Sequence, residues 1–464
     1  MSRDEVARSI ALGCLFVPAC VIPAPLGSLD TGSTGDATEG ESDTEPTTDP
    51  SMSGTSADTG SDTTHSEPDV GPAPAGPPEL DILFVMDNSG SMGPHQAALA
   101  STIDNLVNAL EVVPGVSYRV GVTTTDNGNP WCGSTSTEAG QLVASSCRSR
   151  TGQFVFNGNP PADATDIACT DICTLDTLTF TPTPVAGEQG VRARPWIEGG
   201  GGVTNLGGTG VGDALACMLP QGIAGCGFES PLESAKKAIL RSQLPGDNSF
   251  GFIRDSAHLV VVFVSDETDC SYKGEHQWIF LDESSGGDPS RFWSDASIEN
   301  GTPSSAVCWN AGVVCEGEVP GTNEYETCRA ANHSRTGVDV SDDEAVLEPI
   351  SGYVDQFADL LAAKRATSEA SVFLYGVLGV PTGYPANPLV FAPADDAQYQ
   401  SDFGIGPGCQ YDDVKALPPV RQLAVIESFD YSNLAGTQVF SICDPNLGGV
   451  YEQIVGQLAP YLGG

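Results

Sequence analysis

The chain has 464 residues, with 19 Lys plus Arg against 61 Asp plus Glu and a formal charge of −42. That length carries a full hydrophobic core in one elaborated domain or two. So acidic a balance argues against nucleic acid and against direct docking on an anionic membrane surface, and it fits a solvated surface or the binding of cations. Of the 14 cysteines, Cys14 and Cys20 lie in the N-terminal apolar stretch. The remaining twelve (14 less 2) are dispersed through loop-like segments, as in proteins of an oxidising compartment.

Arg3 and Arg8 precede "SIALGCLFVPAC", an apolar run too short to span a bilayer. Its end, Val17-Pro18-Ala19-Cys20, resembles a bacterial lipoprotein signal. That resemblance implies a signal peptide over 1–20, lipidation at Cys20 and a place at the outer membrane or cell surface, with the membrane touched through the lipid alone. Ordinary cleavage and free secretion is the alternative. Residues 21–78 are dominated by Gly, Ser, Thr, Asp, Glu and Pro and bury too little apolar surface to offset their ordering entropy, so they read as a disordered acidic linker. As a flexible chain such a linker reaches about 40–45 Å.

The folded region is expected over 79–464. Near-continuous apolar runs predict strands at 80–86, 117–124, 258–265, 371–378 and 437–442, as in a sheet covered on both faces. Helical patterns fall at 95–111, 229–242, 350–366, 418–428 and 448–461. In the first, Ala98, Ile103, Leu106, Val107 and Leu110 form one apolar stripe. Glu229 followed by Pro231 marks the start of the second. Strand and helix alternate as in an α/β fold with a doubly wound, mostly parallel sheet.

Three insertions interrupt this rhythm, at 126–208, 270–349 and 381–417. Structureless loops of that length need staples, and disulfides are the obvious ones. Proximity in sequence suggests Cys132–Cys147, Cys169–Cys173, Cys217–Cys226 and Cys409–Cys443, with Cys270, Cys308, Cys315 and Cys328 pairing among themselves. Spacing alone does not settle connectivity. Zinc at Cys169-x3-Cys173 lacks neighbours to complete a four-ligand set.

The first strand ends abruptly in Asp87-Asn88-Ser89-Gly90-Ser91. In an open α/β sheet, ligands bind beyond the carboxyl ends of the strands. A carboxylate and two hydroxyls there are oxygen donors for a hard cation. The stretch resembles the metal-ion-dependent adhesion site of von Willebrand factor A (vWA) domains, whose signature is Asp-x-Ser-x-Ser after the first strand. The resemblance covers about 80–464, with the insertions as departures, and implies a Rossmann-like vWA fold. It also implies a bound Mg²⁺, or Mn²⁺ or Ca²⁺, held by Asp87, Ser89 and Ser91, by a loop threonine and by a second aspartate. Asp266, ending "LVVVFVSD", corresponds to that aspartate and would act through water. Thr209 in "GGTGVGDAL" is the preferred threonine, Thr204 in "GGVTNLGG" the alternative, and neither immediately precedes the helix at 229–242 as the family pattern asks. Glu267 and Asp269 in "DETDC" read as a solvated acidic loop, with a second cation site as the alternative. "GCGFESPLESA" and "VSDETDCS" also resemble surface-anchored vWA lipoproteins of deltaproteobacterial type.

Enzyme readings find little support. No His-Glu-x-x-His occurs, Ser89 and Ser91 have no visible paired base, and the Gly-rich stretch 199–210 lacks the Lys of a phosphate loop. His95 reads as a helix-start residue, since oxygen-rich sites favour hard cations over those that prefer imidazole. The expectation is therefore a non-enzymatic surface lipoprotein whose metal bridges to an acidic residue of a protein partner. The alternatives are an envelope structural or assembly protein whose metal is only structural, and a secreted hydrolase.

Overall fold

The computed structural model describes residues 77–463 except 134, 136, 159 and 413. The expected signal peptide, Cys20 and all of the expected linker up to residue 76 lie outside the described residues.

Five apolar runs form parallel strands: β1 (Glu79–Met86), β2 (Ser117–Thr124), β5 (His258–Val264), β6 (Val372–Leu378) and β7 (Val439–Ser441). Two further strands extend the sheet: β3 (Ile197–Gly200) pairs antiparallel with β2, and β4 (Val203–Thr204) pairs antiparallel with β3. The order is β7-β6-β5-β1-β2-β3-β4. The chain winds outward from β1 on one side and from β5 on the other, so the order of strands switches between β1 and β5. That crevice is where open α/β sheets place ligands.

Because side chains alternate across a strand, β1 serves two cores at once. Leu80, Ile82, Phe84 and Met86 face α1 (Gly93–Ser101), α2 (Asp104–Glu111), α3 (Val211–Met218) and α7 (Gly448–Leu458). Leu83 and Val85 face α4 (Pro231–Gln243), α5 (Ile350–Ser368) and α6 (Val420–Ile426). Burial on both sides is why the run shows no polar alternation. The stretch expected as one helix over 95–111 is two. Thr102 turns its hydroxyl back onto the Ala98 carbonyl at 2.9 Å, and α1 ends there.

The insertions carry their own small elements, including the hairpins Val313–Glu318 with Tyr325–Ala330 and Cys409–Tyr411 with Val414–Ala416. Six disulfides staple them, which calls for an oxidising environment. Cys409 joins Cys443, while Cys270 joins Cys308 and Cys315 joins Cys328. The other three pairings differ from those expected by proximity. Cys132 joins Cys226, Cys147 joins Cys169, and Cys173 joins Cys217. Cys169 and Cys173 lie on one helical turn, where the Cys173 N–H donates to the Cys169 carbonyl. Helical neighbours four apart hold their Cβ atoms about 5–6 Å apart, beyond the roughly 3.5–4.5 Å that a disulfide needs. Both turn instead into a cluster with Cys147, Cys217 and Phe154. Among the described residues no helix is long and apolar enough to cross a membrane.

One buried histidine makes stability depend on pH. His258 opens β5, and its Nδ1 accepts the Ser371 N–H at 3.0 Å. Burial pushes its pKa down to about 4. The unfolded chain takes up a proton near 6.5, so this contribution is intact above that pH and is lost as pH falls toward 4. The loss is on the order of 3 kcal/mol over that window. Urea midpoints at pH 7 and pH 4.5 should therefore differ more for the native chain than for His258→Asn, whose side-chain carbonyl keeps the acceptor.

Candidate metal centre at the strand switch point

The register pairs Met86 with Val264, so β1 and β5 end level and deliver Asp87 and Asp266 to one crevice. The Asp87 N–H donates to the Val264 carbonyl at 2.9 Å and locks the two tips together. One oxygen of Asp87 accepts the Ser89 N–H at 2.8 Å, which bends the chain back over the strand end. The other accepts the Ser265 hydroxyl at 2.6 Å. Ser89 and Ser91 then stand with their hydroxyl oxygens 3.3 Å apart. Gly90 between them leaves room for a neighbouring ring. A Cβ there would lie 3.0 Å from the Phe156 ring of the first insertion. Ser91 also stands near enough to the Asp266 carboxyl to favour its charged form.

These groups are removed from water, with Asp87 at 0 %, Ser89 at 2 % and Asp266 at 4 % exposure, while Ser91 is exposed. Burial, and then the charge of Asp266, push Asp87 up to about 7. Burial pushes Asp266 up to about 6. Asp266 Oδ1 is buried without a hydrogen-bond partner. His95, in the first turn of α1, sits with Nε2 3.8 Å from Asp266, and burial lowers its pKa to about 4. At neutral pH it therefore offers Asp266 no full positive charge.

The chemistry of the set fits a hard divalent ion. It consists of oxygen donors, two of them carboxylates disfavoured in their charged form, and it includes an orphaned oxygen. Among the described residues no three His, Cys, Asp or Glu side chains form a ready-made metal-binding group. The donors gathered at this edge are two carboxylates supplemented by hydroxyls.

The expected threonines are not brought here. Thr204 pairs with Gly199, and Gly199 with Tyr118, six residues before the Thr124 that pairs with Met86. That places Thr204 about 20 Å back along the sheet. Thr209 precedes α3, whose Gly212 abuts Asp104 at the start of α2. Beyond the other end of α3, the Gln221 N–H donates to Gln96 in α1. The helix thus runs back toward the site, leaving Thr209 roughly its 12 Å length away.

Sequence reasoning missed what stands nearer. Gln96 is fully buried. It donates to the carbonyls of Asp87 and Gly222, both at 2.8 Å, and accepts the N–H groups of Gln221 and Gly222. It ties the turn 221–229 to the tip of β1, and the Gly225 N–H adds a bond to the Asn88 carbonyl at 2.9 Å. That turn ends in Glu229, 1 % exposed. Glu229 accepts the Thr125 hydroxyl, and its Oε1 has no partner. Burial, then the charge of Asp87, hold Glu229 well above the usual carboxylate range. Only a local pattern, a lone acidic residue closing the loop before a core helix, pointed to it.

The loop after Asp266 is not a solvated acidic cluster. Asp269 is 0 % exposed and pairs with Arg421 Nε at 3.0 Å, while Glu267 is held near the edge by the Ser265 hydroxyl. All three insertions border the site. Phe156 covers Gly90, Ser305 reaches Glu267, and Tyr399 feels the carboxylates of Glu267 and Asp266. No protein-family model matches the chain, and no curated protein matches it.

Proposed function

We propose that this chain is an exported, lipid-anchored surface protein whose vWA-like domain binds a protein partner through a metal-ion-dependent adhesion site. The observation that carries the reading is the convergence of Asp87, Ser89, Ser91 and Asp266 at the strand switch point, with one oxygen of Asp266 unpartnered. In this reading these four residues hold Mg²⁺, Mn²⁺ or Ca²⁺, and the ion supplies an electron-poor point that attracts a carboxylate of the partner. The exposed Ser91 leaves the site an approach from solvent, and the insertions around it shape partner choice. The strand order with an antiparallel edge supports the doubly wound fold that the resemblance implies. Anchoring rests on Val17–Cys20 and the linker sequence.

The burial of Asp87 and Asp266 favours a second reading, in which the ion only holds the two strand tips together. Chelation separates the two. The full chain, loaded with Mg²⁺, is used to capture proteins from envelope extract, with Asp87→Ala as control. Adhesion requires capture to vanish in EDTA and in Asp87→Ala while near-UV circular dichroism is retained. A structural ion requires EDTA to collapse that signal and expose the 126–208 insertion to protease.

A further inference from the structure

We propose that a groove at the amino-terminal edge of the sheet seats the chain's own segment 70–76, which lies outside the described residues and straps the domain at the end remote from Asp87. The inference stands apart from the metal reading. The amino ends of β1 and β2 pair Glu79 with Ser117. β3 returns against β2 with Gly200 opposite Ser117, and a turn through Gly201 and Gly202 leads into β4, the last strand of the sheet on that side. Between this turn and the loop before β2 lies a groove of about 370 Å³. Val113, Val116, Tyr118 and Val203 line it together with the glycines of the turn. Glu111 is the one charged residue among the described residues that line it. Val203 is 73 % exposed although it belongs to the sheet.

The occupant follows from where the described chain begins. Pro77 stands against Gly115, where an added Cβ would lie 3.8 Å from the proline Cβ, and Gly115 itself lines the groove. The Pro78 carbonyl accepts the Ser117 N–H at 2.8 Å, so the chain enters β1 alongside the loop that forms one wall. The residues before it are Val70-Gly71-Pro72-Ala73-Pro74-Ala75-Gly76. Asp69 is the last charge before Glu79, so the composition turns from acidic to small and apolar where the chain nears the groove. Alternating prolines favour the polyproline II form, in which these residues reach roughly 20 Å. Two strand spacings, roughly 10 Å, separate β1 from β3, so the segment crosses the groove with length to spare. Proline and alanine cover apolar surface at little side-chain entropy, and aromatic-lined grooves take such segments. Glu111 and the acidic surface repel the charged part of the linker, whereas residues 70–76 carry no charge. β4 is also an open edge of the sheet, and a proline-rich cover shields it without offering a further strand to pair.

Limited elastase digestion of the full chain, mapped by mass spectrometry, tests this. The bonds after Val70 and after Ala75 are the susceptible ones, since Ala73 precedes proline, and a synthetic peptide of residues 66–80 gives their unprotected rates. In the native chain both bonds are expected to be cut at least tenfold more slowly than in the peptide. Val203→Asp puts a charge on the groove wall and is expected to raise both rates at least fivefold, with circular dichroism unchanged. Native rates equal to those of the peptide overturn the proposal. Protection that survives in both Val203→Asp and Val113→Asp overturns it too, because something other than the groove then shields the segment. Protection that fades on tenfold dilution identifies a second copy of the chain as the occupant and likewise overturns it. Should neither groove variant fold, Ala73→Asp carries the test, compared with a peptide bearing the same change. It is expected to lose the protection, and retained protection overturns the proposal.

Discussion

Asp266→Asn is expected to abolish the stabilisation of this protein by Mg²⁺ and to leave the metal-free protein as stable as the native chain, or more so. In the native chain two carboxylates share a buried crevice, and Asp266 Oδ1 has no hydrogen-bond donor. Folding without a cation works against that arrangement, which is why both groups are held above their ordinary range. A cation bound only by the folded state adds stability by mass action, about 2.7 kcal/mol at a hundred times its Kd. In thermal melts the native midpoint should climb steadily with MgCl2, and that of Asp266→Asn should stay flat. In EDTA the variant should melt no lower than the native chain. If it melts several degrees lower there, Asp266 is a structural hydrogen-bonding residue and the metal account of it fails.

The second large effect lies beside the site. Arg421, 1 % exposed, donates from Nε to Asp269 at 3.0 Å and from Nη2 to the Glu348 carbonyl at 2.7 Å. Asp269 in turn accepts the Leu232 N–H at the start of α4 and the Ser271 hydroxyl. One ion pair therefore joins the loop after β5, the first turn of α4, the approach to α5 and the body of α6. Arg421→Met should cost about 3–5 kcal/mol, because it strands a buried charge. Adding Asp269→Asn should recover part of that loss, since the unpaired charge disappears while an acceptor remains for Leu232 and Ser271. Urea denaturation of the two single variants and the double variant measures the coupling. Additive losses would mean that the two side chains do not act as a pair.

How much of this was legible in the sequence follows from what each signal reports. Strands β1, β5 and β6 declare themselves because a strand covered on both faces reads as a short, near-continuous apolar run. The tip of β1 was legible for the same reason, since Asp87 and two serines after such a run have no packing role. Strand β3, next to the edge, was silent. Its "IEGG" is half glycine, and Gly199 is there because the Tyr118 ring occupies the space of a side chain. The disulfide partners were hidden because they depend on which loops the sheet brings together, and Cys132 and Cys226 are 94 residues apart. Asp269 looked like a surface acid because its partner Arg421 lies 152 positions away. Glu229 was hidden similarly: its neighbours Thr125 and Asp87 belong to other strand tips, and in sequence it is one acid before Ser-Pro.

The most direct measurement is anomalous diffraction from crystals of the chain grown with MnCl2. The account requires a Mn²⁺ peak at the carboxyl edge of β1 and β5, within coordinating reach of Asp87, Ser89 and Ser91 and within one water of Asp266. A map with no peak at that edge, or with Mn²⁺ bound only on the acidic surface elsewhere, contradicts it.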